Sequence, residues 1–377
     1  MNYYPDETSG WFPPMFTQIA RLFSLSIFDI NMRAATFHGP GDIRVSDVDK
    51  PSIEDPESAV LRVTHTAVCG SDLWFYRGEV DRDIPSRVGH EPMGIVEAVG
   101  DAVTSVSPGD RVFAPFRISC GECEFCRRGL HTSCVNGESW SVPNGGAQGE
   151  MVRCPHADGT LVRIPDRHAD DEATLRSVLP LTDVMGTGHH AAVSAGVKPG
   201  SACAVIGDGA VGLCGVLAAK RLGASQIIAV GHHDNRLQIA SEFGATEIVN
   251  EQGDTAIETI KSLTNGGPEH VLECVGATSS METAVEICRP GGTVGYVGVP
   301  HGLGDGLDLY PFFSDNIAIQ GGVAPVRAYA DELLADVLQG TLDPAPVFTK
   351  TVDLDNIAEG YQAMDRRDAV KVLVTVQ

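Results

Sequence analysis

The sequence is short of lysine. Six of its 27 basic residues are lysine (50, 198, 220, 261, 350 and 371), set against 50 aspartates and glutamates, and the net charge is −23. A surface this negative repels phosphate backbones and anionic lipid, which argues against nucleic acid and membrane surfaces as partners. It suits a protein kept soluble in concentrated salt, where charge repulsion is screened; an acidic protein of ordinary salinity is the alternative. Long apolar runs are also missing. No stretch approaches the ~20 residues needed to cross a bilayer, and no N-terminal segment joins a basic flank, an apolar core and a small-residue cleavage site. A cytoplasmic location is the expectation. In a reducing compartment the ten cysteines read as metal ligands or small buried apolar residues, not as a disulfide framework.

What is present fits two domains: 377 residues, 43% of them hydrophobic. Residues 1–31 are aromatic-rich and broken by proline, which predicts a flexible N-terminal extension, with a short amphipathic helix over 15–29 as the alternative. From Met32, β-branched runs such as "AVLRVTHTAV" and "GIVEAVG" alternate with turns such as "SPGD", the mark of a β-rich domain. After "LTDVMGTGHHAAVSAGVKPG" apolar strands ("ACAVIG", "IIAVG", "HVLECVG") alternate with helical stretches ("AVGLCGVLAAKRLGA", "NRLQIASEFGA"). Such alternation builds a parallel sheet covered by helices on both faces. From about Ala324 the pattern is a helix, "RAYADELLADVLQG", and a last strand, "VKVLVTV".

"AVIGDGAVG" places Gly207, Gly209 and Gly212, with Ala210 and Val211 between them, as G-x-G-x-x-G at a strand-to-helix turn. Such a turn lets the backbone approach a pyrophosphate at the helix N-terminus. An NAD site usually adds an acid at the end of the next strand, ~20 residues on. Gly231 stands there instead, followed by His232, His233 and Arg236, which could meet a 2′-phosphate. This favours NADP over NAD; the alternative is that Asp234 takes the ribose contact. Cys120, Cys123, Cys126 and Cys134 follow C-x2-C-x2-C-x7-C. Four thiolates close a tetrahedral shell around zinc with no position left for substrate, a structural site, and iron–sulfur ligation is the rival.

A dispersed set remains: Cys69, Ser71 and Asp72 of "VCGSDLW", and His90 and Glu91 of "VGHEPMG". Taken together, "GHEPMGIVEAVG", "CGSD", the four-cysteine lobe and the glycine motif after "TGHHAA" resemble the zinc-dependent medium-chain alcohol dehydrogenase family over about 32–377. The resemblance implies an α/β protein: a GroES-like β-rich catalytic domain over 32–184, a Rossmann doubly wound parallel sheet over 185–323, and a segment 324–377 returning to the catalytic domain. It implies two zinc ions per chain, the catalytic one held by Cys69, His90 and a third ligand at Asp183. Many members have Cys at that third position, and Asp183 resembles the branch that contains formaldehyde dehydrogenases. A thiolate and a carboxylate cancel the +2 of zinc, and the harder oxygen leaves the metal a stronger Lewis acid. Glu91 is a fallback ligand or a support, Asp72 orients His90, and His189 and His190 compete for the third place. Thr187, Val275, Gly298, Val299 and Lys371 complete the candidate cofactor contacts.

The implied activity is reversible oxidation of an alcohol to an aldehyde or ketone, Ser71 taking the proton and the nicotinamide the hydride, in a homodimer or homotetramer. There are two departures from the family. Trp74 occupies the place where many members keep a proton-passing histidine, and "NGESWSVPNGGAQGE" is shorter than the matching loop of formaldehyde dehydrogenases. Phe75, Phe116 and Trp140 are candidates for an apolar substrate wall, with core packing as the alternative. Sugar, polyol or threonine dehydrogenases are the runner-up, and a dismutase that keeps its nicotinamide is a smaller alternative. From other classes come a nicotinamide-binding structural or sensor protein and a zinc-ribbon nucleic-acid binder using Arg127 and Arg128, the latter opposed by the net charge.

Overall fold

The computed structural model describes residues 30–140, 145–301 and 306–376. The expected helix over 15–29, and nearly all of the expected extension, lie outside the described residues.

Strand Ala59–Val68 is the spine of the β-rich body. Its β-branched residues favour extended backbone, and every side chain except Arg62 is buried or half-buried. It pairs antiparallel with Met93–Val99, with Met151–Cys154 along its first half and with Lys371–Thr375 along its second. The last pairing brings the end of the chain back to the first body, and its register, Val372 opposite Val68, carries Lys371 to the level of Cys69. Beside this sheet lies a smaller one of Asp42–Asp49, Asn31–Gly39 and Ser86–Arg87.

The second body is a six-stranded sheet, parallel throughout. Numbered along the chain, its strands lie in the order 3-2-1-4-5-6, the doubly wound arrangement with its crevice where the order reverses. Ala202–Ile206 (ACAVI) and Gln226–Val230 (QIIAV) are buried over four of five positions, as strands covered on both faces require. The turn after Ala202–Ile206 holds Gly207 and Gly209 and opens helix Ala210–Arg221, which carries Gly212 in its first turn. That helix is rich in alanine and leucine, buries Leu213, Cys214, Val216 and Leu217, and ends on Lys220 and Arg221, cations that suit its negative end. Leu213 is 1% exposed, so Leu213→Ala should cost about 2–5 kcal/mol.

Two of the three aromatic candidates for a substrate wall belong to the core of the β-rich body. Trp140 is fully buried and donates its indole N–H to the Pro115 carbonyl at 2.9 Å. Phe75 packs between Phe37, at 5.1 Å, and Tyr361, at 6.4 Å. A large aromatic ring is cheaper to bury than to expose, and burial won at both positions.

Candidate active site

Cys69 leaves the end of strand Ala59–Val68, and Ser71 and Asp72 open the short helix Asp72–Arg77. His90 and Glu91 come from the link between Ser86–Arg87 and Met93–Val99. Asp183 begins helix Val184–Ala195, the first helix of the second body, and its backbone is not helical. Three scattered segments therefore meet where the two bodies join.

There the potential ligand atoms of Cys69, His90, Glu91 and Asp183 all lie within 4.8 Å of one another. Cys69 Sγ is 3.2 Å from Asp183 Oδ2, and His90 Nε2 is 3.4 Å from the same oxygen. Ligands at ~2.0–2.3 Å from a tetrahedral zinc stand roughly 3.3–3.8 Å apart, so the donor set fits that ion. His90 Nδ1 faces Asp72 Oδ1 at 3.3 Å, which leaves Nε2 toward the other donors. Burial works against a charged Asp183, but His90 and Lys371 hold its carboxyl down at about 2. Burial, and after it the Asp183 charge, push the Cys69 thiol up against the pull of Lys371 and His90.

Glu91 is fully buried and already engaged. Its Oε1 takes an ion pair from Lys371 Nζ at 2.7 Å. Its Oε2 lies 3.1 Å from the Thr182 hydroxyl, whose one proton is shared with the Leu179 carbonyl at 2.7 Å. Burial opposes the Lys371 ammonium, but the charges of Glu91, Cys69 and Asp183 outweigh it and raise its pKa. Lys371, expected at the cofactor, is instead 1% exposed beneath the ligand cluster. Thr187, also expected at the cofactor, donates its hydroxyl to Asp183 Oδ1 at 3.1 Å.

Neither rival third ligand reaches the cluster's bonding partners. His189 Nε2 lies 3.2 Å from Glu332, and His190 Nδ1 lies 2.9 Å from the Tyr329 hydroxyl, both on helix Val326–Leu338. Phe116, the third aromatic candidate, is half-buried and stands edge-on to His90 at 6.4 Å. Ser71 is exposed; its carbonyl accepts from the Trp74 N–H at 3.4 Å. The Trp74 ring meets His301 edge-on at 3.6 Å, and His301 Nδ1 bonds the Val299 carbonyl. Val275 and Val299 expose about half of their surfaces (47% and 49%) beside Gly298 and the glycine turn.

The end of the second parallel strand holds a carboxylate after all. It is Asp208, the second residue of the glycine motif, overlooked because any residue satisfies that motif position. Its Oδ2 accepts from the backbone N–H groups of His232, at 2.7 Å, and His233, at 2.9 Å, and meets His233 Nδ1 at 2.8 Å. Arg236 lies 3.6 Å from Oδ1 and is itself nine-tenths buried. A Cβ on Gly231 would stand 2.8 Å from Asp208 Oδ2, so the glycine makes room for that carboxylate. Of the three cationic candidates for a 2′-phosphate, His233 and Arg236 are thus turned to Asp208, and His232 is exposed.

In the four-cysteine lobe, sulfur–sulfur distances are 3.5 Å (Cys123–Cys126), 3.9 Å (Cys123–Cys134) and 3.4 Å (Cys120–Cys134). A disulfide needs about 2.05 Å, whereas four sulfurs at ~2.3 Å from one ion stand about 3.8 Å apart. Backbone N–H groups of Cys126 and Val135 aimed at the Cys123 sulfur lower its pKa to about 6, whereas burial raises those of Cys126 and Cys134.

Known proteins match this arrangement. Residues 55–166 match the alcohol dehydrogenase GroES-like domain, and residues 210–338 match the zinc-binding dehydrogenase domain. A zinc-type alcohol dehydrogenase-like protein of Bacillus subtilis is 34% identical over 379 residues, covering 91% of this chain and 100% of that one. The chain belongs to the zinc-type medium-chain alcohol dehydrogenase family. Among solved structures, the alcohol dehydrogenase of Thermus sp. ATN1 superposes on this dehydrogenase with a TM-score of 0.85 and 34% identity, over 92% of this chain and 100% of its own. A zinc-binding dehydrogenase of Sinorhizobium meliloti, solved bound to NADP, gives a TM-score of 0.78 at 27% identity, over 92% and 99% of the two chains. The dehydrogenase is therefore an oxidoreductase with a GroES-like domain joined to a Rossmann-like domain, and no described helix is long and apolar enough to cross a membrane.

Proposed function

We propose that this dehydrogenase reversibly oxidises a small-molecule alcohol to an aldehyde or ketone at the cluster of Cys69, His90 and Asp183. The observation that carries the proposal is the convergence of those three donors, with His90 Nε2 and Cys69 Sγ both within 3.4 Å of one Asp183 oxygen. Zinc bound there supplies Lewis acidity to the substrate oxygen. Asp72 orients His90, Lys371 pairs with Glu91 and holds it out of the ligand set, and exposed Ser71 takes the alcohol proton. Phe116 borders the substrate. A bound nicotinamide supplies the hydride acceptor, held by the glycine turn and by Val275, Gly298 and Val299. The second zinc sits on Cys120, Cys123, Cys126 and Cys134 and braces the lobe. Asp183 as third ligand sets the dehydrogenase beside the formaldehyde-dehydrogenase-like branch in metal chemistry. Domain limits of 32–184, 185–323 and 324–377 are supported by the return of strand Lys371–Thr375 to the first sheet.

NADP is the preferred cofactor in this reading, because no side chain at Gly231 opposes a 2′-phosphate and His232 is exposed. The Asp208 carboxylate favours a second reading, NAD, since it stands where a ribose-binding acid would. A cytoplasmic, salt-adapted homodimer or homotetramer completes the proposal. Strand Ala318–Gly321 is the edge of the parallel sheet, and Tyr310, Phe313 and Val323 near it expose 69%, 83% and 66% of their surfaces, a face that suits a second copy. The test is a panel of alcohols, polyols and aldehydes with each nicotinamide at high and low KCl, alongside metal analysis. Two zinc per chain, one lost in Cys69→Ala, with turnover of an alcohol, is the expected result. One zinc per chain, unchanged by Cys69→Ala, would overturn the catalytic site.

A further inference from the structure

We propose that Gln148 and Tyr361 are positioning residues for the metal site, acting through Asp72 on His90. The proposal rests on Cys69, His90 and Asp183 forming that site. Three buried groups, Tyr361, Gln148 and Asp72, make one chain that ends on half-buried His90. The Tyr361 hydroxyl donates to Gln148 Oε1 at 2.8 Å, and Gln148 Nε2 donates to Asp72 Oδ2 at 3.3 Å and to the Ala67 carbonyl at 2.9 Å. Asp72 Oδ2 also accepts the Cys69 backbone N–H at 3.0 Å, and Oδ1 faces His90 Nδ1 at 3.3 Å. Tyr361, Gln148 and Asp72 are 0%, 1% and 3% exposed, so water does not compete for the bonds among them.

The chemistry of the neighbours removes every choice but one. A carbonyl and a carboxylate only accept, so the Gln148 amide must turn its NH2 to Ala67 and Asp72 and its oxygen to Tyr361. The phenol must then donate, and burial, the largest cause, together with the Asp72 charge keeps it protonated. With Asp72 Oδ2 held by two N–H donors, Oδ1 is aimed at His90, which fixes Nδ1–H on that side and leaves the Nε2 lone pair for the metal. Gln148 itself cannot drift. Its N–H bonds the Val88 carbonyl at 3.0 Å and its carbonyl accepts from Ala35 at 2.7 Å. Gly89, at φ +92°, lets it pass: a Cβ there would stand 2.4 Å from Gln148 Cγ.

Tyr361→Phe removes one hydroxyl and little volume, and Gln148→Met keeps volume while removing all three side-chain hydrogen bonds of the amide. In full-length protein, zinc affinity is read at each of the two sites by chelator competition, and the catalytic-site geometry by the visible bands of the cobalt-loaded form. Each variant should weaken the catalytic site by about tenfold, shift the cobalt bands and leave the four-cysteine site unchanged. The double variant should lose no more than the worse single one. Wild-type affinity and cobalt spectrum in both variants, even with a lower melting temperature, would mean a packing role only and overturn the proposal. Failure of the underlying site reads differently: the unaltered protein would then bind a single zinc.

Discussion

Lys371→Met takes the cation from a fully buried ion pair and leaves the shape nearly intact. The loss can be sized from the surroundings. Glu91 is 0% exposed and Lys371 1%, so no water replaces the 2.7 Å contact. Neither neighbour replaces the lysine: the Thr182 hydroxyl lies closer to Leu179 than to the carboxylate, at 2.7 Å against 3.1 Å, and His90 Nε2 stands 4.0 Å from Oε1, beyond hydrogen-bond reach. Removing one member of such a pair costs about 3–5 kcal/mol, because the survivor is left without solvent or a counter-charge in contact. Replacing both by neutral groups, Glu91→Gln with Lys371→Met, should recover most of that. The assay is urea unfolding of the metal-stripped chain for the two single variants and the double. A coupling energy of at least about 2 kcal/mol is expected. If Lys371→Met costs under ~1 kcal/mol, or the double variant costs the sum of the singles, the pair does not hold this corner of the fold.

Cys69→Ser and Cys123→Ser should fail in different ways. The first should fold, keep one zinc and lose turnover by on the order of 10³, the several kcal/mol of charge stabilisation that a metal supplies. The second should lower the melting temperature by roughly 5 °C or more, on a scale of about 2–4 °C per kcal/mol, since four-thiolate zinc sites contribute directly to folding. Equal thermal losses in both would contradict the assignment. Asp208→Asn should raise the ratio of kcat/KM for NADP over NAD by about tenfold, or ~1.4 kcal/mol, by removing a carboxylate and freeing His233 and Arg236; a fall in the ratio would instead make Asp208 the organiser of a phosphate site. His189 is 2% exposed, and burial brings its pKa down from 6.5 to about 4. Glu332, 3.2 Å away, favours the cation, but it is half exposed and screened, so burial wins. The unfolded chain then takes up the proton first as pH falls: stability is complete above 6.5 and declines by up to about 3 kcal/mol toward pH 4. His189→Gln should flatten that part of the unfolding profile, and an unchanged slope would refute it.

The parallel sheet and the glycine turn were legible because both follow from local rules: apolar runs bounded by turns, and three glycines at a strand-to-helix junction. The four-cysteine lobe was legible because its ligands fall within fifteen residues. The second ligand set is dispersed and was read by family resemblance, and the geometry then brought Cys69, His90 and Asp183 together. What escaped was contact made across long sequence separations. Lys371 and Glu91 are 280 residues apart, and Tyr361 and Gln148 are 213 apart; no period or motif links such pairs. Asp208 escaped for the opposite reason, standing inside a motif that accepts any residue there. Phe75 and Trp140 show the limit of composition: an aromatic near a candidate site has equal use in a core, and only the fold decides.

The return of strand Lys371–Thr375 to the first sheet gives the site an order of assembly. During synthesis at about 5–20 residues per second, residues 69–91 leave the ribosome roughly 15–60 s before the lysine that neutralises Glu91, which is 280 residues later. Through that interval the nascent chain carries a Glu91 carboxylate without the lysine that neutralises it in the fold. The pair closes only when strand Lys371–Thr375 docks on the first sheet, so the buried charge beside Cys69 and His90 is settled by a segment made long after them.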